Sequence, residues 1–209
     1  LNWTFHIRDG VKWVDMNANE KADVTSYDFA TGMEWVLNFH KNDSSHTSQP
    51  IELIAGAKEY YEYTKTLSKE EAYALTADEN SKFQEMVGIK TPDANTIVYT
   101  CNGEKPYFDS LATWAGMYPM SQAMVDELGV DGVNAMNNEN MWYNGAYTLT
   151  SYIQGNEKVY TKNPLYWDTD CTLFDTVTVK MVESNDVAFQ LYQAGCLLYT
   201  SPSPRDYAA

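Results

Sequence analysis

The clearest pattern of polar and apolar positions along the chain lies in residues 146–162. Side chains alternate from Ala146 to Tyr152, as the two-residue period of a half-buried strand requires. Gly155 then stands in a turn sequence, and the alternation resumes over residues 158–162. The pattern predicts an antiparallel hairpin. Asn163-Pro164 should end it, because proline cannot donate to a strand ladder.

A second alternating stretch opens the chain. Trp3, Phe5 and Ile7 fall on one face of residues 3–8, and Asp9-Gly10 leads into Val11-Lys12-Trp13. We expect a hairpin over residues 3–13. His6 falls on the polar face, where a solvated histidine is favoured over a ligand or a catalytic base because no second ligand type stands at a suitable spacing.

Helical patterns fill much of the region between these stretches. Thr25-Ser26-Tyr27-Asp28 is typical of a capping box, and a stripe at helical spacing follows it: Phe29, Met33, Val36 and Leu37. Pro106 is placed in a helix's first turn. Ser121 is typical of an N-cap, with Gly129 as the C-terminal stop.

Further strands and a loop complete the predicted order. Residues 87–90 and 96–100 form a hairpin pattern, and residues 177–182 form a strand that precedes a helix. Residues 132–143 show no periodicity and are predicted to be a loop. Together the elements indicate an α/β chain of the mixed α+β type, with a domain boundary in this loop.

Four segments in the same order resemble the extracytoplasmic solute-binding proteins of ABC transporters, in the peptide- and nickel-binding family. They are Trp3-Thr-Phe-His-Ile-Arg-Asp-Gly-Val-Lys-Trp13, the helix start at Val24-Thr25 with Asp28-Phe29, Lys105-Pro-Tyr-Phe108, and Asn144-Gly-Ala-Tyr147 followed by Asn163-Pro-x-Tyr-Trp-Asp168. The resemblance covers residues 1–195. It implies an incomplete bilobal fold of the periplasmic-binding-protein-like type II, with residues 1–142 as the small lobe and 143–195 as part of the main lobe.

The resemblance also implies a function and a site. Such a protein captures oligopeptides and passes them to a membrane permease, as a monomer in the periplasm or lipid-anchored outside the cytoplasmic membrane. By order along the chain, the loop Ser44 to Gln49 corresponds to a ligand-contacting loop of the small lobe, which makes Ser45, His46 and Thr47 the candidate ligand-binding residues. Family members commonly carry an aromatic residue in this loop, and this sequence has none there.

Composition excludes some partners. The formal net charge is −15 and the isoelectric point is about 4.4, so the clustered basic residues that nucleic-acid binding draws on are missing. No apolar run is long enough to span a membrane. There is also no signal peptide, and since the chain opens directly on a predicted strand, we expect it to be truncated there.

The sequence offers few candidate residues for catalysis or metal binding. Cys101 and Cys171 belong to no CxxC pair, so we expect neither a zinc nor a redox site. No nucleophile motif follows any of the three histidines, and no glycine-rich phosphate loop follows a strand. We therefore expect no catalytic residues, metal or cofactor.

Residues 196–209 depart from every preceding pattern. From Cys196 onward the sequence begins CLLYTSPSPRD, which resembles the translation of a transposase-type sequencing-library adapter. We interpret it as a non-native tail. A disordered Ser/Pro tail is the alternative.

Two other function classes remain open. The many tyrosines, tryptophans and acids also suit an extracellular carbohydrate-binding or carbohydrate-active domain, since aromatic faces stack on sugars and paired carboxylates hydrolyse them. A general α+β interaction domain is the third. A solute-binding protein is the preferred hypothesis, because no carboxylate pair stands out and packing explains the tryptophan positions.

Overall fold

The computed structural model of the protein describes residues 1–41 and 45–198. The strands are β1 (Asn2–His6), β2 (Lys12–Val14), β3 (Glu20–Asp23), β4 (Ile89–Asp93), β5 (Thr96–Thr100), β6 (Tyr147–Ile153), β7 (Glu157–Lys162) and β8 (Thr176–Lys180). The helices are α1 (Ser26–Leu37), α2 (Ser48–Leu53), α3 (Ala57–Lys65), α4 (Lys69–Tyr73), α5 (Lys82–Met86), α6 (Phe108–Leu111), α7 (Gln122–Asn134) and α8 (Asn185–Gln193). Short 3₁₀ turns lie at Ser45–Thr47, Ala115–Met117 and Thr169–Cys171.

The first sheet has the order β1-β5-β4, with both pairs antiparallel. The predicted β4–β5 hairpin is confirmed. The hairpin predicted for residues 3–13 is wrong, because β1 pairs with β5 while β2 pairs with β3. Pairing with β5 brings Trp3 and Phe5 within 6.2 and 6.3 Å of the Phe108 ring, and burial of this aromatic cluster outweighs a short local hairpin.

Helix α1 packs on this sheet and begins where the sequence predicts. The Asp28 carboxylate accepts a 2.8 Å hydrogen bond from the Thr25 backbone N–H, which completes the capping box. Met33 and Leu37 are buried in the main core, and Val36 and Phe29 are half-buried. The side chains of the predicted stripe therefore face the interior.

Helix α7 departs from the prediction at its C-terminal end. Gly129 does leave the helical conformation, with a φ of +66°, but the chain re-enters a helix and continues to Asn134. The loop predicted from residue 132 is thus shorter than expected. A glycine at positive φ permits such a kink without steric cost.

The third sheet has the order β6-β7-β8 and confirms the predicted hairpin and the strand that follows it. Strand β6 and the segment that leads into it are both hydrogen-bonded to the preceding part of the chain. Val14 and Tyr143 exchange two backbone hydrogen bonds of 2.8 Å, and the Thr148 hydroxyl donates to the Met16 carbonyl over 2.9 Å. The division into lobes at residues 1–142 and 143–195 stays a prediction.

The interpretation of the C-terminal tail concerns residues 196–209. From residue 199 onward this segment lies outside the described residues. That residues 196–209 are a non-native tail therefore stays a prediction from the sequence.

Candidate functional site

An open cleft of about 930 Å³ lies where the first sheet faces the segment that leads into the third. Residues 5–8 and 142–145 line it, together with Tyr166 and Trp167 and parts of α1, β5 and residues 112–119. About half of the lining residues are aromatic. We call this feature the aromatic cleft. Its size and apolar walls are those of a small-molecule or peptide side-chain site.

The charge of the aromatic cleft differs from that of the chain. Among the described residues that line it there is no aspartate, glutamate or lysine, and Arg8 is the charged residue there. In the whole chain, acids outnumber basic residues by 29 to 14. An anion that enters the cleft therefore meets a guanidinium and no lining carboxylate, whereas much of the remaining surface repels it.

Arg8 joins the two sides of the cleft. Its guanidinium carbon lies 4.0 Å from the centroid of the Trp167 ring, within the range of a cation–π contact. Among the residues that the structure describes, no carboxylate forms an ion pair with Arg8. The guanidinium is thus held by an aromatic face and keeps its hydrogen-bonding edge for another group.

Trp167 lies just after the hairpin exit and is half-exposed. Its side chain is 49 % exposed, and its ring packs at 5.5 Å from Tyr166 as well as against Arg8. The exit at Asn163-Pro164 directs the ring towards the cleft.

Asn163 connects the exit of the β6–β7 hairpin to the Asn-Gly-Ala-Tyr motif at residues 144–147. The residue is fully buried, and its amide donates to the Gly145 carbonyl over 2.9 Å. Its backbone N–H donates to Ala146, also over 2.9 Å, and its side-chain oxygen accepts from the Leu165 N–H over 3.0 Å. Asn163 therefore ties the Asn-Gly-Ala-Tyr segment to the turn that carries Tyr166 and Trp167.

Asn163→Ala is expected to lower the free energy of unfolding by about 1 to 2 kcal/mol, because the fully buried Asn163 side chain makes two partly buried hydrogen bonds that the alanine cannot replace. Urea unfolding measures this change. Asn163→Asp is the matched variant: it keeps the acceptor for Leu165 and loses the donor to Gly145. Equal stability of Asn163→Ala and the unaltered chain would contradict this role.

Tyr143 lies at the edge of the cleft and has a neutral hydroxyl group. Burial raises the pKa of its hydroxyl to about 12, so the group stays protonated at neutral pH. It donates to the Asn138 carbonyl over 2.9 Å. Tyr143 thus supports the cleft wall and supplies no base.

Ser45, His46 and Thr47 form a 3₁₀ turn, and neither His46 nor Thr47 is among the described residues that line the aromatic cleft. The His46 ring packs edge-on against Trp114 with centroids 5.1 Å apart, and Trp114 lies between Ala112 and Met117, which do line the cleft. Residue 44 of the same loop lies outside the described residues. The ligand-binding role of these three residues stays a prediction.

No group of histidines, cysteines and acids that could hold a metal occurs in residues 1–41 and 45–198. Of the cysteines there, Cys101 is buried and Cys171 and Cys196 are exposed, all as free thiols. Across the same residues, none of the helices combines the length and the apolar character needed to cross a bilayer.

Sequence reasoning missed Arg8, Trp142 and Tyr143 as site residues. One signal was available, since Arg8 is the only arginine before residue 205 in an acidic chain. The other two carry no local signal, because their position at a cleft depends on how distant segments pack.

The chain is similar to known bacterial solute-binding proteins. The family model described as "Bacterial extracellular solute-binding proteins, family 5 Middle" matches residues 1–209. The oligopeptide-binding protein AliA of Streptococcus pneumoniae is 28% identical over 188 residues, which are 90% of this chain and 26% of AliA. The periplasmic oligopeptide-binding protein OppA of Haemophilus influenzae is 27% identical over 199 residues, covering 95% of this chain and 32% of OppA.

Solved structures show the same fold. A periplasmic oligopeptide-binding protein of Borrelia burgdorferi superposes with a TM-score of 0.74 at 20% identity, over 93% of this chain and 34% of its own. Haemophilus influenzae OppA in complex with the peptide RPPGFSPFR gives 0.73 at 24% identity, over 94% and 33%. The chain thus spans about a quarter to a third of the proteins it matches. These matches give the carbohydrate-binding alternative no support.

Proposed function

The chain belongs to the bacterial extracellular solute-binding proteins of family 5, and we propose that its parent protein is the substrate-binding component of an ABC importer that captures oligopeptides. The observation that carries this proposal is the match of the family model to residues 1–209. The relatives are solute-binding proteins and not enzymes. We place the parent outside the cytoplasm, as a monomer that delivers its ligand to a membrane permease without catalysis or a cofactor.

The geometry of the described residues is consistent with this proposal. The aromatic cleft offers apolar walls for peptide side chains. Strand β1 beside it lies at an edge of its sheet, and sheet edges are a recurrent place for an extended peptide backbone to bind. Closure of two lobes around such a ligand would shift an open–closed equilibrium that the permease senses.

The turn formed by Ser45, His46 and Thr47 is proposed as a second contact region. A hydroxyl and an imidazole suit hydrogen bonds to peptide backbone groups, which every peptide presents whatever its side chains. Contact through the backbone would make the specificity for side chains loose.

Calorimetry of the complete gene product with a mixture of tri- to pentapeptides tests the proposed function. We expect micromolar binding of peptides and no binding of malto-oligosaccharides, which serve as the control ligands. His46→Ala and Thr47→Ala should each weaken peptide binding about three- to tenfold if one hydrogen bond is lost. Thr66→Ala, which removes an exposed hydroxyl at the end of α3, is the control variant.

Two outcomes would count against these statements. Absence of heat with every peptide would contradict the proposed function. Peptide binding that is unchanged in both the His46 and Thr47 variants would contradict the role of the turn and leave the function standing.

A further inference from the structure

The aromatic cleft contains two kinds of surface that a single ligand group could satisfy together. Phe5, Phe29, Ile97 and Met117 supply apolar wall, which favours an aromatic or aliphatic side chain through burial from water. Arg8 supplies the positive charge at the same cleft. A ligand that matches both would carry a hydrophobic group next to an anion.

The placement of Arg8 favours a planar anion. The guanidinium carbon of Arg8 lies over the Trp167 ring, 4.0 Å from its centroid, and the N–H fork of the guanidinium has no ion-pair partner among the described residues. That fork matches a carboxylate bidentately. Stacking also restricts the side chain before any ligand arrives, so less conformational freedom is lost on binding.

No acid lines the cleft among the residues that the structure describes, which removes the usual competitor for such a fork. Lys12 and Lys41, in contrast, already have carboxylate partners at 2.6–2.7 Å. Arg8 has an aromatic contact and, among the described residues, no ion pair. The cleft thus offers a charged group without a charged partner in a chain of net charge −15.

We propose that the aromatic cleft binds the carboxyl-terminal residue of a peptide whose last side chain is hydrophobic, with Arg8 pairing the terminal carboxylate. The proposal deepens the proposed function and rests on it for the identity of the ligand as a peptide. The carboxyl terminus is preferred to an acidic side chain because it places the anion and the hydrophobic side chain on one residue, as the cleft places Arg8 beside apolar wall.

The test uses residues 1–209 and small probes, so that it does not depend on peptide capture by the complete protein. N-acetyl-L-phenylalanine and its amide differ only in the terminal charge. Their binding at millimolar concentration is followed by NMR shifts of the tryptophan indole N–H groups, since Trp13, Trp142 and Trp167 all line the cleft. We expect the acid to bind about five- to tenfold more tightly than the amide.

Variants assign the difference to Arg8. In Arg8→Gln the acid and the amide should bind equally, and in Arg8→Lys the preference should be reduced because the planar fork is lost. Lys158→Gln is the matched control, since Lys158 also lies over an aromatic ring, 5.4 Å from Tyr152, but outside the cleft. It should keep the full preference for the acid.

Three results would overturn the proposal. These are equal affinity for acid and amide in the unaltered chain, an unchanged preference in Arg8→Gln, or tighter binding of N-acetylglutamic acid α-amide, which would assign the cleft to acidic side chains. If the probes fail while the complete protein binds peptides, this proposal is wrong and the proposed function stands. If the probes bind as expected while the complete protein binds no peptide, the proposed function is wrong. The cleft is then a site for small hydrophobic carboxylates, and the part of this proposal that identifies the ligand as a peptide is wrong as well.

Discussion

Glu34→Leu is expected to lower the free energy of unfolding by about 3 to 5 kcal/mol, because it leaves a buried lysine without its counter-charge. The Glu34 carboxylate accepts from Lys41 over 2.7 Å, from the Tyr60 hydroxyl over 2.8 Å and from the Asn38 amide over 2.9 Å. The side chains of Glu34 and Lys41 are 2% and 5% exposed. Burial and the neighbouring Glu34 charge raise the pKa of Tyr60, so its hydroxyl stays protonated as a donor.

Three further variants separate charge from packing. Lys41→Met should lower the free energy of unfolding to a similar extent, since it leaves the buried Glu34 carboxylate without its counter-charge. The double variant Glu34→Leu/Lys41→Met should recover much of the loss, because two apolar side chains have no charge to desolvate. Glu62→Leu, in the exposed pair with Lys65, is the control and should change the urea midpoint little.

Urea unfolding of the four variants checks this prediction. The interaction free energy of the double-variant cycle is the decisive quantity. Additive losses in the double variant would show that Glu34 and Lys41 do not act as a pair.

Gly56→Ala is expected to lower the free energy of unfolding by at least about 4 kcal/mol. Losses of this size are typical of substitutions that cause severe steric clashes or backbone strain. Gly56 has a φ of +73°, and a Cβ there would lie 1.8 Å from the Met86 carbonyl oxygen. The neighbouring backbone cannot easily give way, since Ala55 donates to Thr100 over 2.9 Å and accepts from Gly88 over 2.7 Å. The start of α3 is therefore held against the end of α5.

Gly10→Ala is the matched control. Gly10 has a similar φ of +76°, but nothing lies within 4 Å of its Cβ position. Gly10→Ala should lower the free energy of unfolding by about 1 to 2 kcal/mol, which is the penalty for placing an L-residue in the left-handed region without any clash. Urea unfolding of both variants, with circular dichroism to detect a failure to fold, compares the two costs. Equal losses at both positions would show that the contact with Met86 relaxes freely.

Local elements were predictable where neighbouring residues decide the structure. The β6–β7 hairpin has its alternation and its turn glycine within residues 146–162. The capping box of α1 involves residues three apart. The ordered motifs that these elements carry also sufficed to indicate the family. Such features depend on backbone preferences and on hydrogen bonds over short spans of sequence.

Predictions failed where a distant segment competed with a local one. Residues 3–13 have a good hairpin pattern, yet β1 pairs with β5, about 90 residues later, because the aromatic cluster around Phe108 buries more apolar surface. The contact of Trp167 with Arg8 likewise joins segments that are far apart in the chain, and no local pattern predicts it. Alternation alone indicates which side chains share a face and not which strand or ring covers that face.

The sequence by itself determined the class of the fold, the start of α1, the central hairpin and the family. The tertiary structure alone brought together Arg8 and Trp167, which are far apart in the chain, and closed Glu34, Lys41 and Tyr60 into one buried network. Both arrangements depend on non-local packing. The contact of Arg8 with Trp167 forms only once distant segments pack together, and the Glu34–Lys41 pair is strengthened only once surrounding segments exclude water from it.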